Sequence, residues 1–165
     1  MINEWSDEDV VKGPPAAPDM MSAILAGIKH VESRGNPNAV SPKGAVGTMQ
    51  TMPTTLRNPG FGVTPAKDNS PAELERVGQD YYKAMYSKYG NHDDALRAYN
   101  FGPANYDKHL TGKKPLPKET QDYVPLVHKA AARIGAAPVS AGGGVLARFA
   151  RFVQSSLGKQ NAVKQ

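Results

Sequence analysis

This chain of 165 residues contains no cysteine and only one tryptophan, and aromatic residues make up only 7% of it. Without cysteine it forms no disulfide framework and no thiolate metal site. No stretch is long and apolar enough to cross a membrane. The four histidines lack the paired spacing of a metal site: His30, His92, His109 and His128. We therefore expect neither a metal nor a cofactor.

Charge is unevenly spread along the chain, whose formal net charge is +5. Residues 1–19 hold five acids and one base, whereas residues 138–165 hold four bases and no acid. A moderately basic protein suits an anionic partner such as peptidoglycan, acidic lipid or nucleic acid. The acidic start lacks the basic and apolar regions of a secretory signal, so no signal peptide is visible.

Composition divides the chain into three parts. Residues 1–19 read as an acidic, proline-rich tail or linker, and residues 20–137 as one domain. Residues 138–165 combine a glycine hinge with a basic amphipathic helix, whose apolar stripe lies within residues 145–157. That helix either contacts anionic lipid, nucleic acid or another protein, or is simply solvated. Nucleic-acid binding is not expected as the primary role.

The domain is predicted to be mainly α-helical, because no run shows sustained period-two alternation. Asp19 is a suitable N-cap for a helix that ends near Arg34, and Ser70 opens a second helix with a capping box. Further helices are expected near 54–57, over 93–99, up to about residue 110, and over 118–134. Leu74, Val77, Tyr81 and Met85 are expected on the inner face of the helix after Ser70.

Glu32 is placed by this pattern in the last turn of the first helix, at the edge of its buried face. The C-terminal end of a helix carries partial negative charge, and a half-buried carboxyl is poorly hydrated. Both effects raise the pKa of a carboxyl group. A carboxylic acid that stays protonated near neutral pH is what protonation of a glycosidic oxygen requires.

Four short motifs occur in a fixed order. Glu32-Ser33 is followed by Gly-Thr-Met-Gln-Thr-Met-Pro at 47–53, Ala-Tyr-Asn-Phe-Gly at 98–102 and Glu-Thr-Gln-Asp-Tyr-Val at 119–124. Together they resemble the soluble lytic transglycosylases of glycoside hydrolase family 23, relatives of the goose-type lysozymes, over roughly residues 20–135. Thr48 stands where the family usually has Leu, and Phe101 where it usually has Ala.

The resemblance implies a lysozyme-like fold and assigns roles to the motif residues. Glu32 is then the catalytic acid and afterwards the base. The cleft residues that position the substrate or the catalytic carboxyl are Ser33, Gln50, Tyr99, Asn100 and Glu119, with Met49 as a wall residue. Tyr123 either packs or hydrogen-bonds to Glu32, orienting it or the sugar. Phe101 is expected to narrow or re-line the sugar cleft.

The family's reaction cleaves the MurNAc–GlcNAc bond of peptidoglycan and yields a 1,6-anhydro sugar without a second catalytic carboxylate. A hydrolase of the same fold, which uses water, is one alternative. A structural ejection protein whose domain only binds glycan is another. Because no signal peptide is visible, we expect the carrier to be a bacteriophage virion or a secretion apparatus, with action in the bacterial periplasm or cell wall.

Overall fold

The computed structural model describes residues 19–135, and the described residues form six α-helices. These are α1 (Met20–Ser33), α2 (Pro53–Arg57), α3 (Pro71–Tyr89), α4 (His92–Phe101), α5 (Pro103–Leu110) and α6 (Lys118–Gly135). The prediction of a mainly helical domain is confirmed. The predicted linker at 1–19, apart from Asp19, and the predicted tail helix within 145–157 lie outside the described residues. Within the described part, no helix is long and apolar enough to span a bilayer.

Helix α1 begins and ends as its sequence predicts. The Asp19 carboxylate accepts a hydrogen bond of 2.9 Å from the backbone N–H of Ser22, which caps the N-terminus. At the other end Arg34 adopts the left-handed conformation with φ 55°. On its apolar side Ile24 and Ile28 are fully buried. This arrangement ends the helix one residue after Glu32.

Helix α3 begins at the predicted capping residue. Ser70 accepts a hydrogen bond from the backbone N–H of Glu73, and Pro71 occupies the first turn. The predicted inner face lacked Tyr82, which is fully buried, whereas Tyr81 is half-buried and packs against the main core. Since 3.6 residues make one turn, Tyr82 lies on the same side of α3 as the buried Gly78 and Met85, which widens the buried face by one position.

Helices α1 and α6 run antiparallel and pack closely. A Cβ atom on Gly27 would lie 2.7 Å from the carbonyl oxygen of Val127, so only glycine allows this approach. The contact between Gly27 and Val127 and that between Glu32 and Tyr123 show that the end of α1 lies beside the start of α6. This packing brings the first and last motifs together.

The segment between α1 and α2 forms turns with two isolated antiparallel bridges, Val40–Val46 and Val46–Thr51. It packs directly on α3, because a Cβ atom on Gly78 would lie 2.5 Å from Cβ of Met49. Helix α4 contacts α3, α5 and α6 and lies at the centre of the domain. The main core is shared by these elements and includes Ile24, Ile28, Met49, Tyr82, Met85, Leu96 and Val127.

Candidate active site

Glu32 lies half-buried in the last turn of α1. Its Oε1 accepts a hydrogen bond of 2.7 Å from the hydroxyl of Tyr123 in α6. The Tyr123 side chain is buried, with 5% of its surface exposed. Tyr123 was expected either to pack in the core or to hydrogen-bond to Glu32, and in the structure it does both.

The surroundings of Glu32 favour its protonated form. Burial raises the pKa of Glu32 above its usual value of 4.5, and the negative charge of Glu119 adds to the rise. The hydrogen bond from Tyr123 lowers this pKa, because it stabilises the carboxylate, but burial outweighs it. Burial and the charge of Glu32 also raise the pKa of Tyr123 well above 10, so the phenol remains a donor. The pair therefore suits proton donation by Glu32.

Ser33 fastens the end of α1 to the second motif. Its Oγ lies 2.9 Å from the carbonyl oxygen of Thr48 and 3.2 Å from that of Lys29. The same oxygen accepts a hydrogen bond from the backbone N–H of Gly35. With its hydroxyl used in this way, Ser33 fixes the position of the backbone on both sides of Glu32.

The second motif is a tight turn that presents Gln50. Gly47 and Gln50 both adopt positive φ, 78° and 47°. The side-chain amide nitrogen of Gln50 donates to the carbonyl oxygens of Gly47, at 2.9 Å, and Ala39, at 3.2 Å. These bonds compensate for the unusual backbone conformation of Gln50 and hold its side chain against the turn.

Met49 and Tyr99 join the second and third motifs. The Tyr99 hydroxyl donates a hydrogen bond of 2.8 Å to the carbonyl oxygen of Met49. The Met49 side chain is fully buried in the core, whereas it was predicted as a wall of the cleft. Met49 therefore contacts the site through its backbone carbonyl oxygen, which accepts the hydrogen bond from Tyr99.

Asn100 joins the third motif to the fourth. Its Oδ1 accepts a hydrogen bond of 2.7 Å from the hydroxyl of Thr120, which is buried. Glu119 precedes Thr120 in the first turn of α6 and is exposed, acting on Glu32 through its charge. Hydrogen bonds thus connect all four motifs around Glu32, and Glu119 lies at the edge of the group.

An open cavity of about 800 Å³ lies elsewhere, between the turns that follow α1 and the start of α3. It is lined by Gly47, which belongs to the second motif, and by Val40, Leu56 and Leu74, but not by Glu32. The described residues contain no group of three or more His, Cys, Asp or Glu side chains able to hold a metal ion.

Comparison with known proteins agrees with this geometry. The sequence profile of the family described as the Transglycosylase SLT domain matches residues 11–121, which is more than half of the chain. The chain belongs to this family. The matched region includes the first three motifs and ends at residue 121, before Tyr123.

Two curated relatives have similar names. The chain is 38% identical over 79 residues to the "Transglycosylase" of Enterobacteria phage PRD1, a match that covers 48% of this chain and 28% of that protein. It is 30% identical over 103 residues to the "Soluble lytic murein transglycosylase" of Escherichia coli K12, covering 58% of this chain and 16% of the relative. The chain thus spans less than a third of either relative's length.

One polar network of this SLT domain was missed by sequence reasoning. Glu75 of α3 belongs to none of the four motifs, yet its carboxylate accepts hydrogen bonds of 2.9 Å from both Lys29 and the Thr48 hydroxyl. Burial alone would raise the pKa of Glu75, but these hydrogen bonds outweigh it and lower the pKa. Glu75 is therefore an ionised partner and not a second protonated acid.

This network explains how the domain accommodates Thr48, which departs from the leucine usual in the family. Thr48 is buried, with 6% of its surface exposed, so its hydroxyl needs a partner. Glu75 supplies the acceptor, and Lys29 compensates the charge of Glu75. The unusual threonine at position 48 could have indicated this network. The sequence did not show, however, which acid would accept the hydrogen bond from its hydroxyl.

Phe101, the other departure, is partly buried and packs against the main core. Lys114, in the loop before α6, lies 5.0 Å from the centre of the ring and donates a hydrogen bond to Asn105. Asn105 in turn donates to the carbonyl oxygen of Phe101. One side of Phe101 is therefore covered by the core and another by a cation.

Proposed function

We propose that this domain is a peptidoglycan lytic transglycosylase that cleaves the β-1,4 bond between MurNAc and GlcNAc. The observation that carries the proposal is the half-buried Glu32, with its raised pKa, held by the neutral phenol of Tyr123. A general acid needs a pKa raised toward the working pH and a fixed geometry. Burial raises the pKa of Glu32, and the hydrogen bond from Tyr123 fixes its carboxyl. Membership of the SLT family and the names of the two relatives support the same activity.

Several other carboxylates of the described residues are paired with basic side chains. Glu73 pairs with Arg76, Glu75 with Lys29, Asp107 with Lys88, and Asp93 with His128. The hydrogen bonds in these pairs lower the pKa of each carboxyl, which opposes a role as proton donor. This supports a mechanism in which a single carboxyl transfers the proton twice.

In the proposed reaction Glu32 donates its proton to the glycosidic oxygen while the bond from that oxygen to C1 of MurNAc breaks. The N-acetyl group of the same sugar supports the positive charge that develops at C1. The C6 hydroxyl then forms a bond to C1, and the Glu32 carboxylate accepts the proton released from that hydroxyl. The products are a free GlcNAc hydroxyl and a 1,6-anhydro-MurNAc end, and no water is consumed.

The test is digestion of purified cell-wall sacculi in water labelled with heavy oxygen, followed by mass spectrometry. A transglycosylase leaves unlabelled, non-reducing anhydro ends that are one water lighter than hydrolysis products. Reducing ends that carry the label would contradict the proposed reaction and favour a lysozyme-type hydrolase. Glycan binding without any cleavage would instead favour a structural protein of an ejection or secretion machine.

We further propose that the enzyme is carried in a phage virion and opens the cell wall locally during genome entry. The similarity to the PRD1 protein supports this source. Zymography of purified particles from the parent phage should then show wall-degrading activity in the virion. Activity found only in the lysate of infected cells, with none in purified particles, would contradict the virion role.

The basic residues 138–165 are proposed to attach the domain to its particle or to an anionic membrane, with residues 145–157 as the contact. Their charge of four bases and no acid supports such a partner. Deleting residues 138–165 should preserve cleavage of solubilised glycan and weaken retention on vesicles rich in anionic lipid, more so at low salt. Equal retention of the truncated and intact proteins, on vesicles and in particles, would contradict this.

A further inference from the structure

Phe61 is a large apolar side chain that the fold leaves in solvent. It lies in the loop between α2 and α3, and 51% of its surface is exposed. Its backbone has φ 53°, and the flanking Gly60 and Gly62 have φ 68° and 75°. Three successive left-handed residues make this loop a sharp, defined turn.

Phenylalanine is a costly residue for that backbone position. A bulky side chain with positive φ is a genuine outlier, and Gly, Asn or Asp adopt the conformation with less strain. Burial in the core does not offset the cost at Phe61, since half of the ring faces water. A strained, exposed aromatic residue is typical of a position that serves ligand binding.

The Phe61 ring continues a line of aromatic side chains that leads to Glu32. Its centre lies 6.2 Å from that of Tyr81, in an edge-to-face arrangement, and Tyr81 lies 6.0 Å from Tyr99. Tyr99 bonds to the Met49 carbonyl and lies close enough to Glu32 for that carboxylate to raise the pKa of Tyr99, after the larger effect of burial. Phe61 is therefore connected to the candidate active site by two ring-to-ring steps.

The ring of Phe61 is also held from the α3 side. The Lys88 ammonium lies 5.6 Å from the ring centre and pairs with Asp107 of α5. A cation at this distance attracts the face of an aromatic ring. Together with the edge contact to Tyr81, it fixes an exposed ring in one orientation, which reduces the entropy lost when a ligand binds.

We propose that Phe61 is a sugar-stacking residue at the far end of the glycan cleft, which binds a pyranose of the chain beyond the sugars next to Glu32. A pyranose ring has an apolar C–H face that packs against an aromatic ring. The inference rests on the proposed function, and it assigns Phe61 to the binding of long glycan chains rather than to bond cleavage. Its occupant is the uncharged sugar backbone, because the exposed surface of Phe61 is apolar and the neighbouring Lys88 is already paired with Asp107.

The experiment uses the intact chain carrying Glu32→Gln, so that binding is measured without cleavage. The probes are N-acetylglucosamine oligomers of two and six sugars, titrated by calorimetry. Phe61→Asn removes the ring and suits the left-handed backbone, so the melting temperature should be unchanged or higher. Phe61→Tyr keeps an aromatic ring and serves as the conservative variant.

The matched control is Ile134→Ala. Ile134 is likewise a partly exposed apolar side chain, and it lies near the end of α6. Because α1 and α6 are antiparallel, that end lies beside the start of α1 and away from Glu32. Its truncation therefore tests whether losing any exposed apolar side chain weakens glycan binding.

The six-sugar oligomer should bind Phe61→Asn roughly three- to tenfold more weakly, the size expected for one aromatic contact. The two-sugar oligomer should bind all variants alike, and Phe61→Tyr and Ile134→Ala should retain the affinity for the longer chain. Unchanged binding of the six-sugar oligomer by Phe61→Asn, in a protein that still cleaves sacculi when Glu32 is restored, would overturn the stacking proposal alone. Absence of all glycan binding and of all cleavage would overturn the proposed function as well.

Discussion

The hydroxyl of Tyr123 donates a hydrogen bond of 2.7 Å to Oε1 of Glu32, across 91 positions of sequence. This contact joins the first motif to the last and places a phenol that stays neutral against the proposed acid. It also opposes the effect of burial, since it lowers the pKa of Glu32 while burial raises it. The pKa of Glu32 thus depends on the balance between burial and this hydrogen bond. Single substitutions should shift that pKa, and with it the pH range of activity, in directions that can be stated in advance.

Tyr123→Phe should move the alkaline limit of wall cleavage to higher pH. The change removes the hydrogen bond that stabilises the carboxylate, so the pKa of Glu32 rises further and the acid stays protonated over a wider range. A shift of up to about one pH unit is expected, together with a lower maximal rate because the carboxyl loses its orienting partner. The measurement is the pH profile of kcat/KM on soluble glycan. A shift to lower pH would contradict the assignment.

The raised pKa of Glu32 also predicts how the free energy of unfolding depends on pH. Because the folded state raises the pKa of Glu32, ionisation of this group costs stability as the pH rises from 4.5 through its folded pKa. Glu32→Gln removes this cost, so the difference in unfolding free energy between wild type and Glu32→Gln should move in favour of the variant as the pH rises through that range. Urea denaturation at a series of pH values would measure it, and a constant difference would contradict the raised pKa.

Glu119→Gln should shift the alkaline limit in the opposite direction, to lower pH. The charge of Glu119 contributes to the raised pKa of Glu32, so its removal lowers that pKa. Since Glu119 is exposed, the effect should be a few tenths of a pH unit and should shrink as salt is added. Asp122→Asn is the matched control, because Asp122 is also exposed in α6 and pairs with Lys118. Equal shifts in both variants would show a nonspecific effect of net charge.

Thr48→Val should cost about 1 kcal/mol of unfolding free energy, because the half-buried Glu75 carboxylate loses one hydrogen-bond donor. Activity per folded molecule should be retained, since Ser33 donates to the carbonyl of residue 48, which the substitution keeps. Thr54→Val, at an exposed position of α2, is the control and should change stability little. An unchanged midpoint for Thr48→Val in urea denaturation would mean that the hydrogen bond to Glu75 contributes nothing.

Phe101→Ala should reduce both stability and discrimination between glycan substrates. The ring is only partly buried, so the loss should be about 1–3 kcal/mol, below the 3–5 kcal/mol typical of a fully buried ring. Substrate preference should change because the same ring lies next to Asn100 and beneath Lys114. Melting temperature and kcat/KM on chains of different length measure the two effects. A fall in stability with unchanged kinetics per folded molecule would show that Phe101 belongs to the core and not to the cleft.

The helices could be predicted because their signals are local. Asp19 and Ser70 are capping residues whose side chains accept backbone hydrogen bonds within their own first turns. The four motifs likewise mark the residues that surround Glu32, since each motif is a short local sequence. The division of the chain at residues 19 and 137 remains a prediction.

The remaining features depend on contacts between distant segments. Glu75 looks like an ordinary surface acid until the turn at residues 47–50 packs on α3 and brings Thr48 to it. Tyr81 and Tyr82 are chemically alike, and only the exact rotation of α3 decides which is buried. The left-handed backbone of Phe61 could likewise not be predicted from the sequence, because two flanking glycines indicate a turn without fixing its geometry.

The most direct test of the central claim is the activity of Glu32→Gln on purified sacculi, measured beside its thermal unfolding. The amide keeps the shape of the side chain but cannot donate and recover a proton. Cleavage should therefore fall by at least about a hundredfold, the contribution of a general acid, while the melting temperature stays unchanged or rises. A folded Glu32→Gln protein that retained more than about a tenth of the wild-type activity, far above that expectation, would contradict the assignment of Glu32 as the catalytic acid.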